Sequence, residues 1–309
     1  MNNARHQALS GYLFALGATA IWSGNFIVAR GLSEITPPVS LAFWRWAVAV
    51  VVFLPFALKP LITERQQVLQ NIGYLSITAL LGITVFNTLI YLAGHTTSAL
   101  NLSLIAITFP IFIIILSRIL YREIITTSKM CGIVLVICGV ILLITKGDLS
   151  VLRNISFTVG DFWMLLASAI FAIYSILVKQ KPKGLSLWAF QLSTFSLGLL
   201  FLFPLYIWEL NTVPSGNFDT TTVLSILYIG IFASLVAFIL WNKAITTIGP
   251  SKSGLIYYTL PLFSGFLAYL FLNESIGMVH FLSALLIVAG ILTASRASKN
   301  NMVSKSNPR

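Results

Sequence analysis

One arginine inside an apolar stretch is the residue best equipped to do chemistry. Arg45 falls within 38–58, a run whose other members are almost all apolar. A central arginine costs roughly 2.5 to 3.5 kcal/mol on membrane-insertion scales, so it must face protein or water rather than lipid. Its planar fork of donors suits a carboxylate or phosphate, or an ion pair that changes partners. The same donors also suit backbone carbonyls in a purely structural role, and the sequence leaves both open. Other polar and aromatic residues recur at helical spacing: Trp22 with Asn25; Thr84, Asn87 and Tyr91; Tyr174; Gln191 with Thr194; Trp241; Tyr257 with Ser264. Amides and hydroxyls of this kind read the polar groups of a small solute while rings cover its hydrocarbon part. They also serve as glue between helices or as interfacial belts. The candidate substrate-binding set is Trp22, Asn25, Arg45, Asn87, Tyr91, Tyr174, Gln191, Trp241 and Tyr257.

What is missing narrows the chemistry. Of the eight acidic residues, Glu34, Glu64, Glu123, Asp148, Glu209, Asp219 and Glu274 fall in loops or at the ends of apolar stretches, and Asp161 opens one. No mid-stretch carboxylate is therefore available to carry a drug cation. His6, His95 and His280 have no metal-ligand spacing. Cys131 and Cys138 lie seven apart in one apolar run, too far for a disulfide, and read as packing residues. Phosphate-binding glycine loops, His-Glu-x-x-His patterns and nucleophile elbows are absent from the sequence. An enzyme, a cofactor and a metal are not expected.

The elements that position these residues follow from composition. Hydrophobic residues make up 58% of 309 positions and charged ones 9%, a balance that fits an all-α integral membrane protein. Ten stretches have the length to span a bilayer: 11–29, 38–58, 72–93, 99–117, 130–145, 161–178, 187–208, 223–241, 253–272 and 276–294. The fifth is short and is expected to extend toward Ser128. The first is long enough to be a retained span rather than a cleaved leader. Gly132, Gly139 and Gly290, with Ala284 and Ala289, permit close helix packing within the bundle.

Half of the chain is written twice. Thr108-Phe109-Pro110 returns as Thr259-Leu260-Pro261, Arg122-Glu123 as Asn273-Glu274, and Gly139-Val140-Ile141 as Gly290-Ile291-Leu292, always shifted by 151 (261−110). Ala20-Ile21-Trp22 returns as Ala169-Ile170-Phe171, and Asn25 as Tyr174, shifted by 149 (171−22). Residues 1–147 form the first five-helix repeat, 148–159 a linker, 160–296 the second repeat and 297–309 a tail. Pro110 and Pro261 fall mid-stretch in equivalent helices, where each frees a backbone carbonyl and acts either as a hinge or as a fixed kink. Pro55 and Pro204 mark helix ends. Glu123 and Glu274 are cap or turn residues.

Five spans per copy is odd, so the second repeat enters the membrane inverted. With both termini cytoplasmic, the inner segments hold Arg5, Lys59, Arg65, Arg118, Arg122, Lys129, Lys179, Lys181, Lys183, Lys243, Lys252 and the basic tail, against Arg30, Lys146 and Arg153 outside. The net charge of +11 is thus a topology signal and not a nucleic-acid footprint. A multi-pass protein of the inner or plasma membrane is expected, with the lipid bilayer and a small-molecule substrate as its partners.

Ala20-Ile21-Trp22-Ser23-Gly24-Asn25-Phe26, Phe43-Trp44-Arg45 and the duplicated Pro-to-Glu-to-Gly pattern resemble the EamA branch of the drug/metabolite transporter superfamily. The resemblance covers nearly the whole chain. It implies ten transmembrane helices as two inverted five-helix repeats around a central cavity. It further implies a secondary transporter, working by alternating access, that exports amino acids or related small metabolites. Drug or nucleotide/sugar-phosphate transport within the same superfamily is the alternative, and a membrane-embedded enzyme a more distant one.

Overall fold

The computed structural model describes residues 2–32, 36–97, 99–154, 156–213, 219–272 and 277–305, which are helical or in short turns, with no strand among them. The first half holds α1 (Asn2–Leu32), α2 (Pro38–Thr63), α3 (Ile72–Thr96), α4 (Ala99–Ala106), α5 (Thr108–Tyr121) and α6 (Thr127–Ile144). The second repeats the order as α7 (Val159–Lys179), α8 (Leu187–Thr212), α9 (Thr220–Ile248), α10 (Pro250–Tyr257), α11 (Leu260–Leu272) and α12 (Met278–Lys305). Among the described residues eight helices are long and apolar enough to cross a bilayer, with α4 and α5 together making one of them. The remaining two apolar stretches are α1 and the broken pair α10 and α11.

The exterior is as apolar as the interior. Val51, Phe56 and Leu200 are 69%, 67% and 62% exposed, while Trp46, Trp241, Tyr174, Phe190, Phe195 and Phe238 are buried. Water would penalise such a surface, whereas lipid solvates it, so the large aromatics are free to fill the core.

The two halves are joined through residues that are repeat mates. Gly132 and Gly290 let α6 and α12 touch: a Cβ on Gly132 would lie 2.5 Å from the carbonyl oxygen of Gly290, and one on Gly290 2.6 Å from that of Gly132. A Cβ on Gly139 would lie 3.0 Å from the carbonyl oxygen of Ser283, the mate of Gly132 (283−132 = 151). The helices α2 and α8 run antiparallel, with Phe43 stacked on Tyr206 at 4.3 Å and Phe53 on Trp188 at 5.3 Å. Their ends are clipped reciprocally. Glu209, near the end of α8, accepts from the backbone nitrogens of Val39 (3.0 Å) and Ser40 (2.6 Å) and from the Ser40 hydroxyl (2.7 Å) at the start of α2. Glu64, just past α2, accepts from the backbone nitrogen of Ser186 (2.7 Å) at the start of α8. Each carboxylate thereby meets the unpaired donors and positive end of the partner helix.

Several expectations need correction. Pro55 and Pro204 do not end their helices: both lie inside α2 and α8, which continue to Thr63 and Thr212. In lipid an open backbone is costlier than one lost proline donor, so the helix carries on. Cys131 and Cys138 are exposed rather than packed, because α6 turns Gly132, Val136, Gly139 and Val140 inward and the cysteines to the opposite side. Ala289 is likewise exposed on α12. The fifth stretch does extend, beginning at Thr127. Glu123 lies in the turn before α6, whereas Glu274 falls outside the described residues.

Candidate functional site

Two elements in each half lose regular α geometry, and they do so at matching positions. In α3 the segment Leu80–Val85 is wound as a π-helix, and in α9 the segment Ile229–Val236 is too. The offsets of 149 and 151 found on either side carry 80–85 onto 229–234 and 231–236, both within the second segment. Widened turns of this kind recur at functional sites because they rotate the following side chains and leave carbonyls to be satisfied elsewhere. Asn87 meets that need in α3: its amide nitrogen donates to the carbonyls of Ile83 (2.8 Å) and Gly82 (3.3 Å). In α9 the indole of Trp22 donates to the carbonyl of Ala233 (2.9 Å).

The second pair consists of the broken helices. Pro110 and Pro261 do not kink a continuous helix. The chain breaks just before them, at Ile107 and at Tyr258 and Thr259, and each proline sits in the first turn of the following half, where its missing donor has no partner to lose. The hydroxyl of Tyr258 donates to the carbonyl of Ile107 at 3.2 Å, and these two residues are repeat mates (258−107 = 151). Two equivalent residues of the repeats are thus in direct contact.

A second pair of mates is also in contact. Trp22 meets Phe171 edge to face at 5.7 Å. Around them Phe238 lies 5.6 Å, Trp241 5.4 Å and Tyr257 6.2 Å from Trp22, and Phe109 lies 4.7 Å from Tyr257 and 4.9 Å from Phe171. Helices α1, α5, α7, α9 and α10 thus contribute to one aromatic box. Tyr174 stacks on Phe171 at 5.5 Å and its hydroxyl accepts from the Asn242 amide at 2.9 Å. The Trp241 indole donates to Ser175 at 3.2 Å.

Arg45 lies beside the box. It is 4% exposed, and its Nε donates to the Ser234 hydroxyl and its Nη1 to the Tyr91 hydroxyl, each at 2.6 Å. No carboxylate pairs with it among the described residues. Its guanidinium carbon lies 5.8 Å from the ring centres of both Trp46 and Tyr91, within cation–π range. Ser234 directly follows Ala233, so the carbonyl that holds Trp22 and the hydroxyl that holds Arg45 share one π turn.

Each end of the site is tied by a polar cluster of opposite sign. At one end Asp161 accepts from Thr97 (2.5 Å), Asn101 (3.0 Å) and the backbone of Thr158 (2.7 Å), which pins the start of α7 to the junction of α3 and α4. At the other, Lys129 donates to Ser251 (2.7 Å) and pairs with Glu123 (3.4 Å), which pins α6 to the start of α10. The 21 residues from Asn101 to Tyr121 separate these ends by about 30 Å at 1.5 Å per residue. The starts of α1 and α7, which are mates, accordingly pack at opposite ends: Gly11 against Ile248, and Gly160 against Thr96.

The structure brings together Trp22, Trp241, Tyr257 and Tyr174 in the box, and Arg45 with Tyr91 next to it. Asn87 is buried but spends its amide on its own helix. Gln191 is buried with its amide nitrogen unpaired, and no hydrogen bond joins it to the other candidates. The side chain of Asn25 lies outside the described residues. Sequence reasoning missed Phe109, Phe171, Phe238, Ser234 and Asn242. Phe171 was marked as the mate of Trp22.

Comparison with known proteins agrees with this architecture. The profile of the EamA-like transporter family matches residues 9–145 and again 158–296, and the chain belongs to that family. It is 25% identical to the uncharacterized transporter YyaM of Bacillus subtilis (strain 168), over 92% of this chain and 93% of that one. It is 27% identical to an uncharacterized transporter of Archaeoglobus fulgidus, over 88% of this chain and 92% of that one. A solved crystal structure at 17% identity superposes with a TM-score of 0.73 over 94% of this chain and 98% of its own, a likeness of fold. The protein is therefore a multi-pass membrane transporter and not an enzyme.

Proposed function

We propose that the protein is a secondary carrier, with ten transmembrane spans and cytoplasmic termini, that exports amino acids or related small metabolites across the inner or plasma membrane by alternating access. The observation that supports this most is a buried arginine with no described carboxylate partner, set beside an aromatic box to which both halves of the chain contribute. An unpaired buried cation is costly and is relieved by an incoming anion, so a carboxylate at Arg45 gains more there than in water. The rings of Trp22, Trp241 and Tyr257 take the hydrocarbon part of the same solute, and Tyr174 lies within reach of its polar groups. Outward direction rests on the resemblance of the sequence alone.

The two polar ties support the reading of alternating access. Releasing Asp161 frees one end of the box and releasing Lys129 the other, while the clipped pair α2 and α8 and the glycine-packed pair α6 and α12 stay together. The experiment is a competition screen: labelled amino-acid flux in liposomes containing the purified chain, challenged with unlabelled amino acids, amines, nucleotides and sugar phosphates. Competition confined to small carboxylates carries the reading. Competition by phosphate esters alone moves the assignment to nucleotide or sugar-phosphate exchange, and competition by lipophilic cations to drug efflux.

A further inference from the structure

The two hydroxyls that accept from the Arg45 guanidinium each keep a proton of their own to donate. Arg45 gives Nε–H to Ser234 and Nη1–H to Tyr91, so one lone pair of each hydroxyl oxygen is taken and the hydroxyl protons point away from the guanidinium. Neither hydroxyl donates to any described residue, and no described residue accepts from Nη2 of Arg45. Trp46, whose ring centre lies 5.8 Å from the guanidinium carbon, is fully buried with an indole N–H that has no acceptor. Buried donors are almost always paired, so two hydroxyl protons left over beside a buried cation call for an acceptor-only ligand.

We propose that Arg45, Tyr91 and Ser234 form an oxyanion pocket shared between the two repeats, and that Ser234 is the residue that decides its preference for a carboxylate over the isosteric amide. The proposal rests on the reading of Arg45 as a substrate site and names the selecting residue within it. A carboxylate accepts on both oxygens and satisfies the guanidinium, the phenol and the serine together. A carboxamide offers one acceptor oxygen in place of two, so one of these donors is left unpaired when it binds. Sites built of hydrogen-bonding groups reject ligands that leave those groups unpaired far more strongly than apolar pockets reject a change of shape. Ser234 matters beyond its own bond because it holds Nε. That bond turns the fork toward Tyr91, so Ser234 positions the guanidinium as well as donating to the ligand. It also links the pocket to the box, since Trp22 is held by the preceding carbonyl, and an aromatic carboxylate spans both.

The test is equilibrium binding to the purified full-length protein in chloride-free buffer, followed by tryptophan fluorescence and by the shift in Tm, with phenylacetate and phenylacetamide as probes. Wild type is expected to bind the acid at least about tenfold tighter than the amide. Ser234→Ala and Tyr91→Phe should each lower that ratio several-fold through loss of acid affinity, and Arg45→Gln should bring it to near unity. Ser234→Thr, which restores the hydroxyl, should return the ratio to the wild-type range. The ligand-free Tm of each variant separates loss of selectivity from loss of fold. Chloride that displaces phenylacetate competitively identifies the pocket as a general anion site and overturns the carboxylate assignment. A wild-type protein that binds both probes equally, or neither, overturns the pocket. If Ser234→Ala keeps the full ratio while Arg45→Gln loses it, Arg45 acts alone and Ser234 is not the selector. Because no flux is measured, the pocket fails or stands independently of the transport direction and solute screen.

Discussion

The hydroxyl of Tyr258 donates to the carbonyl of Ile107 at 3.2 Å, so a residue and its own repeat mate meet where both broken helices lose their regular turn. The bond joins the two half-helix junctions to each other. Tyr258→Phe removes the donor and leaves a buried carbonyl unpaired, which costs about 1 to 3 kcal/mol. Thermal unfolding in detergent should show a fall in Tm of a few degrees, with slower transport. A variant as stable as wild type would mean that water replaces the bond and that the junctions are not coupled through it.

The glycines of α6 and α12 give a prediction with an internal control. A methyl group on Gly132 or Gly290 would press on backbone at 2.5 and 2.6 Å, whereas one on Gly73 meets nothing within 4 Å. Gly132→Ala and Gly290→Ala should lower folded yield sharply as the two helices are forced apart, and Gly73→Ala should leave it near wild type. Size-exclusion profiles of the three proteins check this, and equal profiles would refute close contact of α6 with α12.

The polar ties predict opposite effects at opposite ends. Asn101→Leu loosens the Asp161 cluster without touching the helix cap that Thr158 and Asp161 form, and Lys129→Met loosens the other end. On a cysteine-free background, a cysteine at Tyr257 should become more reactive to an impermeant thiol reagent added outside intact cells with Asn101→Leu. With Lys129→Met it should become more reactive in inside-out vesicles. Enhanced labelling from the same side in both variants would contradict the assignment of the ties to separate gates. Single cysteines at Lys183 and Asn211 on the same background set the orientation and should label from the cytoplasm and from outside, respectively.

Much of this was legible in the sequence, and the remainder is instructive. The 151-residue repeat marks the mates, and the burial of Arg45 follows from the cost of charge in lipid. What periodicity does not reveal is where a helix stops being regular. The π turns at 80–85 and 229–236 shift the phase of Asn87 relative to the residues before it, so an amide expected to face the solute turns back onto Gly82 and Ile83. Ser234, small and set in an apolar run, gives no local sign of its bond to Arg45 189 positions earlier. Glu209 reads as a helix-end acid, yet it is 4% exposed because it caps a helix that starts 170 residues before it.

The prolines carry a further expectation. Since Pro110 and Pro261 start half-helices after a break, Pro110→Ala and Pro261→Ala allow the preceding turn to continue as a regular α-helix, which shortens the junction. Both should slow transport severalfold at near wild-type protein levels. Normal rates in both would show that the breaks are held by their surroundings and not by proline.

The central claim is that solute is carried unchanged through the site at Arg45 and Trp22, and counterflow in sealed liposomes measures it most directly. Vesicles loaded with an unlabelled amino acid should accumulate the labelled one from outside transiently and saturably, with the label recovered chemically intact. Arg45→Gln and Trp22→Ala proteins, reconstituted with wild-type Tm, should accumulate at least about tenfold less. Counterflow equal to protein-free vesicles for every carboxylate tested, or undiminished in both variants, would contradict the account.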